Sequence, residues 1–185
     1  MAEVPSGIID LIAKHEELFD EKKVESRTIL LKEGETAKKV FIVKEGCLRM
    51  WQNHEGKEIT FQFFFEGEMV ASIESLRSGK PSWSSIETLE PSTLIILSKK
   101  NFELLLNEEP GVKNFMAETA FKRFMHYSRL HLSFLKNSPV ERYKELLKSD
   151  PRIIQRIPQH YVASYLGITP VSLSRIRNKM RKEIS

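Results

Sequence analysis

The pattern of hydrophobic and polar positions changes its period twice along the 185-residue chain. Between residues 28 and 97, short apolar segments, several of them alternating with polar positions, are separated by turns that contain glycine or proline. Before and after this region, apolar residues recur three and four positions apart, the spacing of an amphipathic helix. Short strands without a β-α-β rhythm indicate a β sandwich or barrel. We therefore predict an α+β protein in which a β domain precedes a helical region.

The individual elements follow from the same pattern. A helix is predicted over residues 8–19, an irregular loop before residue 83, and a short helix over residues 99–107. A hinge is predicted at residues 137–139, where Ser138 can cap the next helix and Pro139 can start it. The predicted strands cover residues 28–31, 40–43, 48–51, 59–65, 83–89 and 94–97.

A long helix is predicted from Pro110 to about Lys136. It carries two adjacent apolar stripes, a wider apolar face than packing within one domain needs. Such a helix can pack on a second copy of itself, so we predict a homodimer. The alternative is a helix buried only within its own chain. The stripes are Met116, Ala120, Phe124, Tyr127, His131 and Phe134, and Phe121, Met125, Ser128, Leu132 and Leu135.

Two short helices with a tight turn between them are predicted near the end of the chain. Gly167 can end the first helix in the left-handed conformation of a C-cap. Thr169 can cap the second helix, and Pro170 suits its first position. This arrangement predicts a helix-turn-helix, whose second helix enters the DNA major groove. The apolar positions are Val162, Ala163 and Leu166 in the first helix and Leu173, Ile176 and Met180 in the second.

Charge separates DNA binding from the alternative, an ordinary helical hairpin in a core. After Pro151 the chain has seven basic residues and one acidic residue, a net charge of +6, whereas the whole chain carries +4. The positive charge is therefore concentrated where a phosphate backbone would be met.

Other classes of protein receive little support from the composition. Cys47 is the only cysteine, which excludes an internal disulfide and an all-cysteine metal site within one chain. The five histidines are scattered and show no catalytic or metal-ligand spacing, so we expect neither an enzyme nor a cofactor. No apolar run is long enough for a membrane span, and no signal peptide is visible. We expect a cytoplasmic protein.

The glycine turns and their order resemble a known family. Segments 32–35 (KEGE), 40–46 (VFIVKEG) and 65–70 (FEGEMV), followed by a long helix and a helix-turn-helix, are similar to the cyclic AMP receptor protein and fumarate–nitrate regulator (Crp/Fnr) family. The resemblance implies three parts. Residues 1–109 would form a cyclic-nucleotide-binding-like β-roll, a jelly-roll-like double-stranded β-helix. Residues 110–137 would form the dimerisation helix, and residues 138–185 a winged-helix-like DNA-binding domain.

The chain departs from this family in its cyclic-nucleotide cassette. Ala71-Ser72 stands near the position of the Gly-Glu pair that holds the ribose, and residues 81–85 (PSWSS) replace the Arg-Ser pair that holds the phosphate. Without a guanidinium, a buried phosphate lacks its charge-neutralising partner, so we expect no cyclic AMP binding in the family's manner. A hydroxyl-rich pocket for a neutral effector is one interpretation; the alternative is that the serines face solvent. The residues concerned are Ser72, Ser82, Ser84 and Ser85.

The family resemblance and the basic segment together predict a dimeric transcription regulator that reads a palindromic double-stranded DNA operator. The resemblance also implies RNA polymerase as a partner and a small-molecule effector of unknown identity. Two alternatives stay open: a sensing module whose DNA-binding domain is retired, and a haem sensor. The predicted DNA-binding residues are Thr169, Ser172, Ser174, Arg175, Arg177 and Lys179.

Overall fold

The structure is a computed structural model that describes residues 6–184. The chain divides into two compact units, Met1–Glu108 and Glu109–Ser185. Within the described residues, the first unit contains all the β-strands and the second is helical. The order of a β region followed by helices confirms the predicted α+β class.

Eight antiparallel strands of the first unit form two four-stranded sheets. One sheet has the order β1-β8-β3-β6 and the other the order β2-β7-β4-β5. This is a jelly-roll-like arrangement, as predicted. The strands are β1 (Phe19–Val24), β2 (Ile29–Leu31), β3 (Lys39–Glu45), β4 (Leu48–His54), β5 (Lys57–Phe64), β6 (Met69–Val70), β7 (Ser85–Thr88) and β8 (Ser92–Ser98).

Three helices accompany the sheets: α1 (Ser6–Lys14), α2 (Ile73–Ser78) and α3 (Lys99–Glu108). Apolar side chains of the central strands form the core of this unit, as expected for elements that each bury one face. Its most deeply buried members include Val40, Val43, Leu48, Phe64, Ile86 and Leu94.

The tight turn between β3 and β4 requires a glycine at position 46. Gly46 has φ +105°, and a Cβ built there would lie 2.9 Å from the Cα of Ser92. A side chain at this position would therefore clash with backbone as well as adopt a strained conformation.

Two of the element predictions for this unit are wrong. The helix predicted over residues 8–19 ends at Lys14, and after a 3-10 turn Phe19 begins strand β1. This strand has four consecutive charged residues, which suit an exposed sheet edge. Because it lacks alternating apolar positions, the hydrophobic pattern does not predict it as a strand. The loop predicted before residue 83 contains the six-residue helix α2, which is too short to show a clear period.

The second unit contains helices α4 (Pro110–Lys136), α5 (Pro139–Ser149), α6 (Pro151–Arg156), α7 (Gln159–Tyr165) and α8 (Pro170–Ile184). Ser138 caps α5 in a capping box with Glu141, as its sequence predicts. Side chains from α5 to α8 form the core of this unit, among them Tyr143, Leu146, Ile153, Val162, Leu166, Leu173 and Ile176.

Helix α4 carries a set of exposed apolar side chains. Ser133 is its only buried residue. Five large hydrophobic side chains of this helix are exposed, and whether a second copy or its own chain covers them stays a prediction. They are Phe121, Phe124, Leu132, Phe134 and Leu135.

Candidate nucleic-acid interface and effector pocket

Helices α7 and α8 are joined by the tight turn that the sequence predicts. Gly167 has φ +65° and donates its N–H to the Ser164 carbonyl at 3.0 Å, while Ile168 donates to the Ala163 carbonyl at 3.0 Å. These two bonds form a Schellman motif, which satisfies carbonyls left free at the end of α7. The turn therefore has a fixed geometry that orients α8 relative to α7.

Two neighbouring side chains hold this turn, in an arrangement that we call the Arg142 clamp. Arg142 Nη2 donates to the Leu166 carbonyl at 3.1 Å, and Nη1 donates to the Asn137 carbonyl at 2.9 Å. The guanidinium lies 4.7 Å from the centre of the Phe134 ring, a cation–π distance. Phe134 packs so closely on Gly167 that a Cβ there would lie 2.9 Å from its Cε1. The Arg142 clamp thus joins the C-terminal end of α4 to the turn of the helix-turn-helix.

A second contact within this unit links α4 to α7. His126 Nε2 lies 3.2 Å from the Tyr165 hydroxyl. Partial burial lowers the pKa of His126 below its ordinary value. Burial also raises the pKa of Tyr165, so the phenol keeps its proton.

Helix α8 has one buried and one exposed face. Leu173 and Ile176 are buried against the rest of the unit. Of the predicted DNA-binding residues in this helix, Ser174, Arg175 and Lys179 are exposed, whereas Ser172 and Arg177 are half-buried on its flanks.

The hydroxyls at the start of α8 are engaged with one another. Thr169 Oγ1 accepts the backbone N–H of Ser172 at 3.1 Å, which is the predicted N-cap. The Thr169 and Ser172 hydroxyls are also hydrogen-bonded at 2.9 Å. The exposed side chains of Arg175 and Ser174 are therefore better placed than those of Thr169 and Ser172 to contact a ligand. The role of Arg142 could not be foreseen from sequence, because the Leu166 carbonyl that it holds is 24 positions away in the chain.

The four candidate pocket serines are all buried, so the alternative that they face solvent is wrong. Ser72 Oγ and Ser82 Oγ are hydrogen-bonded at 2.9 Å, and Ser82 Oγ donates to the Ser84 carbonyl at 2.7 Å. Ser84 Oγ is fully buried and has no hydrogen-bond partner among the described residues. Ser85 Oγ instead accepts the backbone N–H of Glu33 at 2.9 Å. The Ser72 and Ser82 hydroxyls are thus brought together beside the Ser84 backbone, whereas the Ser85 hydroxyl binds the loop at Glu33.

The one buried arginine among the described residues of this unit is Arg49, and carboxylates neutralise it. Its Nε and Nη2 donate to Glu87 Oε2 at 2.8 and 2.6 Å, and Nη2 also donates to Glu58 Oε2 at 2.5 Å. Nη1 donates to Thr60 Oγ1 at 3.1 Å, and the guanidinium lies 4.9 Å from the Trp51 ring. Arg27 and Arg77 are exposed. Among the described residues of the first unit, the buried arginine is already paired with carboxylates and the other two arginines are exposed. None of them is therefore placed to neutralise a buried phosphate.

No helix among the described residues combines the length and the apolar character that crossing a membrane requires.

Comparisons with known proteins agree with this architecture. Residues 21–109 match the family model of the cyclic nucleotide-binding domain. CooA from Carboxydothermus hydrogenoformans has 19% identity and a TM-score of 0.72, over 98% of this chain and 82% of its own. FixK2 from Bradyrhizobium japonicum has 18% identity and a TM-score of 0.77, over 89% and 85%. CLP, a c-di-GMP responsive global regulator of Xanthomonas campestris, has 16% identity and a TM-score of 0.77, over 95% and 92%.

No curated protein sequence matches the chain significantly. The family-model match and the structural neighbours nevertheless point to one architecture. We conclude that residues 21–109 resemble the cyclic nucleotide-binding domain and that the chain shares the fold of CooA, FixK2 and CLP.

Proposed function

We propose that this chain is a dimeric, sequence-specific DNA-binding transcription regulator whose β unit binds a small-molecule effector other than a cyclic nucleotide. The observation that carries the proposal is Arg175, exposed on the outer face of a capped helix that follows a Schellman turn. The net charge of +6 after Pro151 supports the same role, because a domain that no longer bound DNA would have no need of this positive charge.

In this proposal, three segments of the chain have different roles. Residues 1–109 sense the effector, residues 110–137 join two copies, and residues 138–185 bind DNA. The exposed Phe and Leu side chains of α4 support the dimer, since a second copy of the same stripe would cover them. Contact with RNA polymerase and a cytoplasmic location stay predictions.

The two kinds of basic residue on α8 have different roles. Arg175 lies in the N-terminal half of the helix, the half that reaches base edges in helix-turn-helix complexes. It can donate two hydrogen bonds to guanine O6 and N7, worth about 1–3 kcal/mol of discrimination against another base. Arg177 and Lys179 come later and meet phosphates.

Site selection from random duplexes tests the regulator function. We expect a two-fold site with half-sites about one helical turn, ~34 Å, apart. Arg175→Ala should relax preference at one base pair in each half-site. Lys179→Ala should weaken binding to all sequences alike and flatten the salt dependence by about one unit for each phosphate that the variant no longer neutralises.

Two outcomes contradict this assignment in different ways. Unchanged base preference in Arg175→Ala would show that another residue reads the guanine. Wild-type protein that selects no sequence would favour the second candidate, a sensing module that acts through protein contacts alone.

The arrangement of the β unit supports a neutral effector. Ser72 and Ser82 occupy the positions near which the cassette of the cyclic-nucleotide-binding members has its charged residues, and they bond to each other. The unpartnered Ser84 hydroxyl is available to a ligand carbonyl, hydroxyl or amide. The buried guanidinium of Arg49 is held by Glu87 and Glu58 and does not offer a site for phosphate.

Cyclic AMP and cyclic GMP should therefore show no binding by calorimetric titration at micromolar to submillimolar nucleotide. The reason is that a desolvated phosphate would gain no charge-neutralising partner here. A Kd in the micromolar range for either nucleotide would overturn this part of the proposal without affecting the DNA-binding part. A thermal-shift screen of neutral metabolites is the matching positive experiment, since a ligand that binds only the folded state raises Tm.

A further inference from the structure

An apolar side chain lies at the centre of the exposed face of α8. Val171 is 61% exposed, although it belongs to a helix that buries Leu173 and Ile176. Successive residues of an α-helix are rotated by about 100°, which places Val171 roughly opposite these two buried side chains. Arg175 and Asn178, four and seven positions later, lie on the same exposed stripe.

The first turn of this face offers almost no hydrogen-bonding side chain. Position 170 is a proline, and the hydroxyls of Thr169 and Ser172 are hydrogen-bonded to each other. Val171 is therefore the side chain that the N-terminal turn presents outward, directly before Arg175. A β-branched residue is a mediocre helix former, so propensity does not favour valine at an exposed helical position.

A valine can distinguish base pairs in one way only. It has no donor or acceptor, but its methyl groups can pack on the C5-methyl group of thymine, which the other bases lack at the major-groove edge. The N-terminal half of a recognition helix is the part that reaches the bases. The spacing of four residues places Val171 one turn before Arg175, within reach of a neighbouring base pair.

We propose that Val171 reads the C5-methyl group of a thymine close to the guanine that Arg175 reads. The proposal rests on the DNA-binding function proposed above and adds a specificity-determining residue to it. The operator half-site should accordingly contain an invariant thymine a short distance from an invariant guanine, recognised by shape and apolar contact and not by hydrogen bonds.

Replacing thymine with deoxyuridine tests this directly, because the substitution removes the methyl group and keeps the base pairing. Each thymine of the selected operator is replaced in turn, and binding of the full-length chain is measured by fluorescence anisotropy. Removal of one buried methyl should raise Kd about fourfold for one half-site and about fifteenfold for both. The penalty should occur at one thymine position per half-site.

Two variants assign the penalty to its side chain. In Val171→Ala, the thymine and deoxyuridine operators should bind with equal affinity, close to that of wild type on the deoxyuridine operator. Arg175→Ala should lose guanine preference and keep the deoxyuridine penalty. Because Val171 is exposed, Val171→Ala should unfold at the wild-type urea concentration, which separates loss of reading from loss of folding.

The outcomes separate this inference from the function on which it rests. A wild-type chain that selects an operator but shows no deoxyuridine penalty overturns the inference and leaves the regulator function intact. A penalty that persists in Val171→Ala overturns it too, because another group then reads the methyl. A wild-type chain that selects no operator overturns both.

Discussion

Replacing Arg49 with methionine should lower the free energy of unfolding of the N-terminal unit by about 3–5 kcal/mol, because the Glu87 carboxylate would remain buried without its counter-charge. Arg49 is 1% exposed and Glu87 is 7% exposed, so water cannot replace the missing hydrogen bonds without rearrangement. Thr60 would lose its partner on the guanidinium as well. Urea unfolding followed by tryptophan fluorescence measures the effect, since both tryptophans, Trp51 and Trp83, lie in this unit.

An exposed ion pair in the same unit provides the matched control. Lys44 and Glu21 are 2.6 Å apart, and their side chains are 46% and 49% exposed. Lys44→Met should therefore cost less than about 1 kcal/mol. The double variant Arg49→Met/Glu87→Met should be much more stable than Arg49→Met alone, because it leaves no buried charge. Equal destabilisation by Arg49→Met and Lys44→Met would contradict the role given to burial.

Replacing Phe124 with glutamate should convert the proposed dimer to a monomer at micromolar concentration. Phe124 is 66% exposed on the chain and lies beside Phe121 on the outer face of α4. In a dimer joined along α4, the substitution buries one unpaired carboxylate from each copy, at a cost of several kcal/mol per charge. Sedimentation equilibrium over a range of concentrations measures the result.

Lys122→Glu is the control for introducing a glutamate into this helix. Lys122 is also exposed, but two positions along an α-helix place it on nearly the opposite side from Phe124. This variant should remain dimeric. A wild-type chain that is monomeric at every concentration, or a Lys122→Glu variant as monomeric as Phe124→Glu, would contradict the proposed interface.

The helical half of the chain could be predicted largely from sequence, because its signals are local. The start of α4 at Pro110, the cap at Ser138 and the turn at Gly167 each depend on residues within a few positions. The same locality explains why Thr169 could be identified as an N-cap.

The features that sequence reasoning does not reach depend on contacts between distant residues. Strand β1 is charged, and only its pairing with β8, 68 to 78 positions later, makes it a strand. The burial of Ser82 and Ser84 follows from the packing of the sheets, which a run of serines does not reveal. Arg49 is the polar residue between Leu48 and Met50 in the alternating pattern of β4, which suggests a side chain that faces solvent. Its partner Glu87 is 38 positions away. The role of Arg142 is likewise not visible in the sequence, because its partner Leu166 is 24 positions away.

The Arg142 clamp affects the energetics of the DNA binding proposed above. Asn137, in the predicted hinge, is held through its carbonyl by Arg142, and Phe134 is packed on Gly167, so the segment after α4 is an ordered connection and not a free tether. In a dimer joined along α4, the two α8 helices are then held at a set separation before DNA arrives. Binding costs little ordering entropy, which favours affinity. In the proposed dimer, the same rigidity fixes the spacing of the two α8 helices, so an operator with one base pair added between its half-sites should bind more weakly.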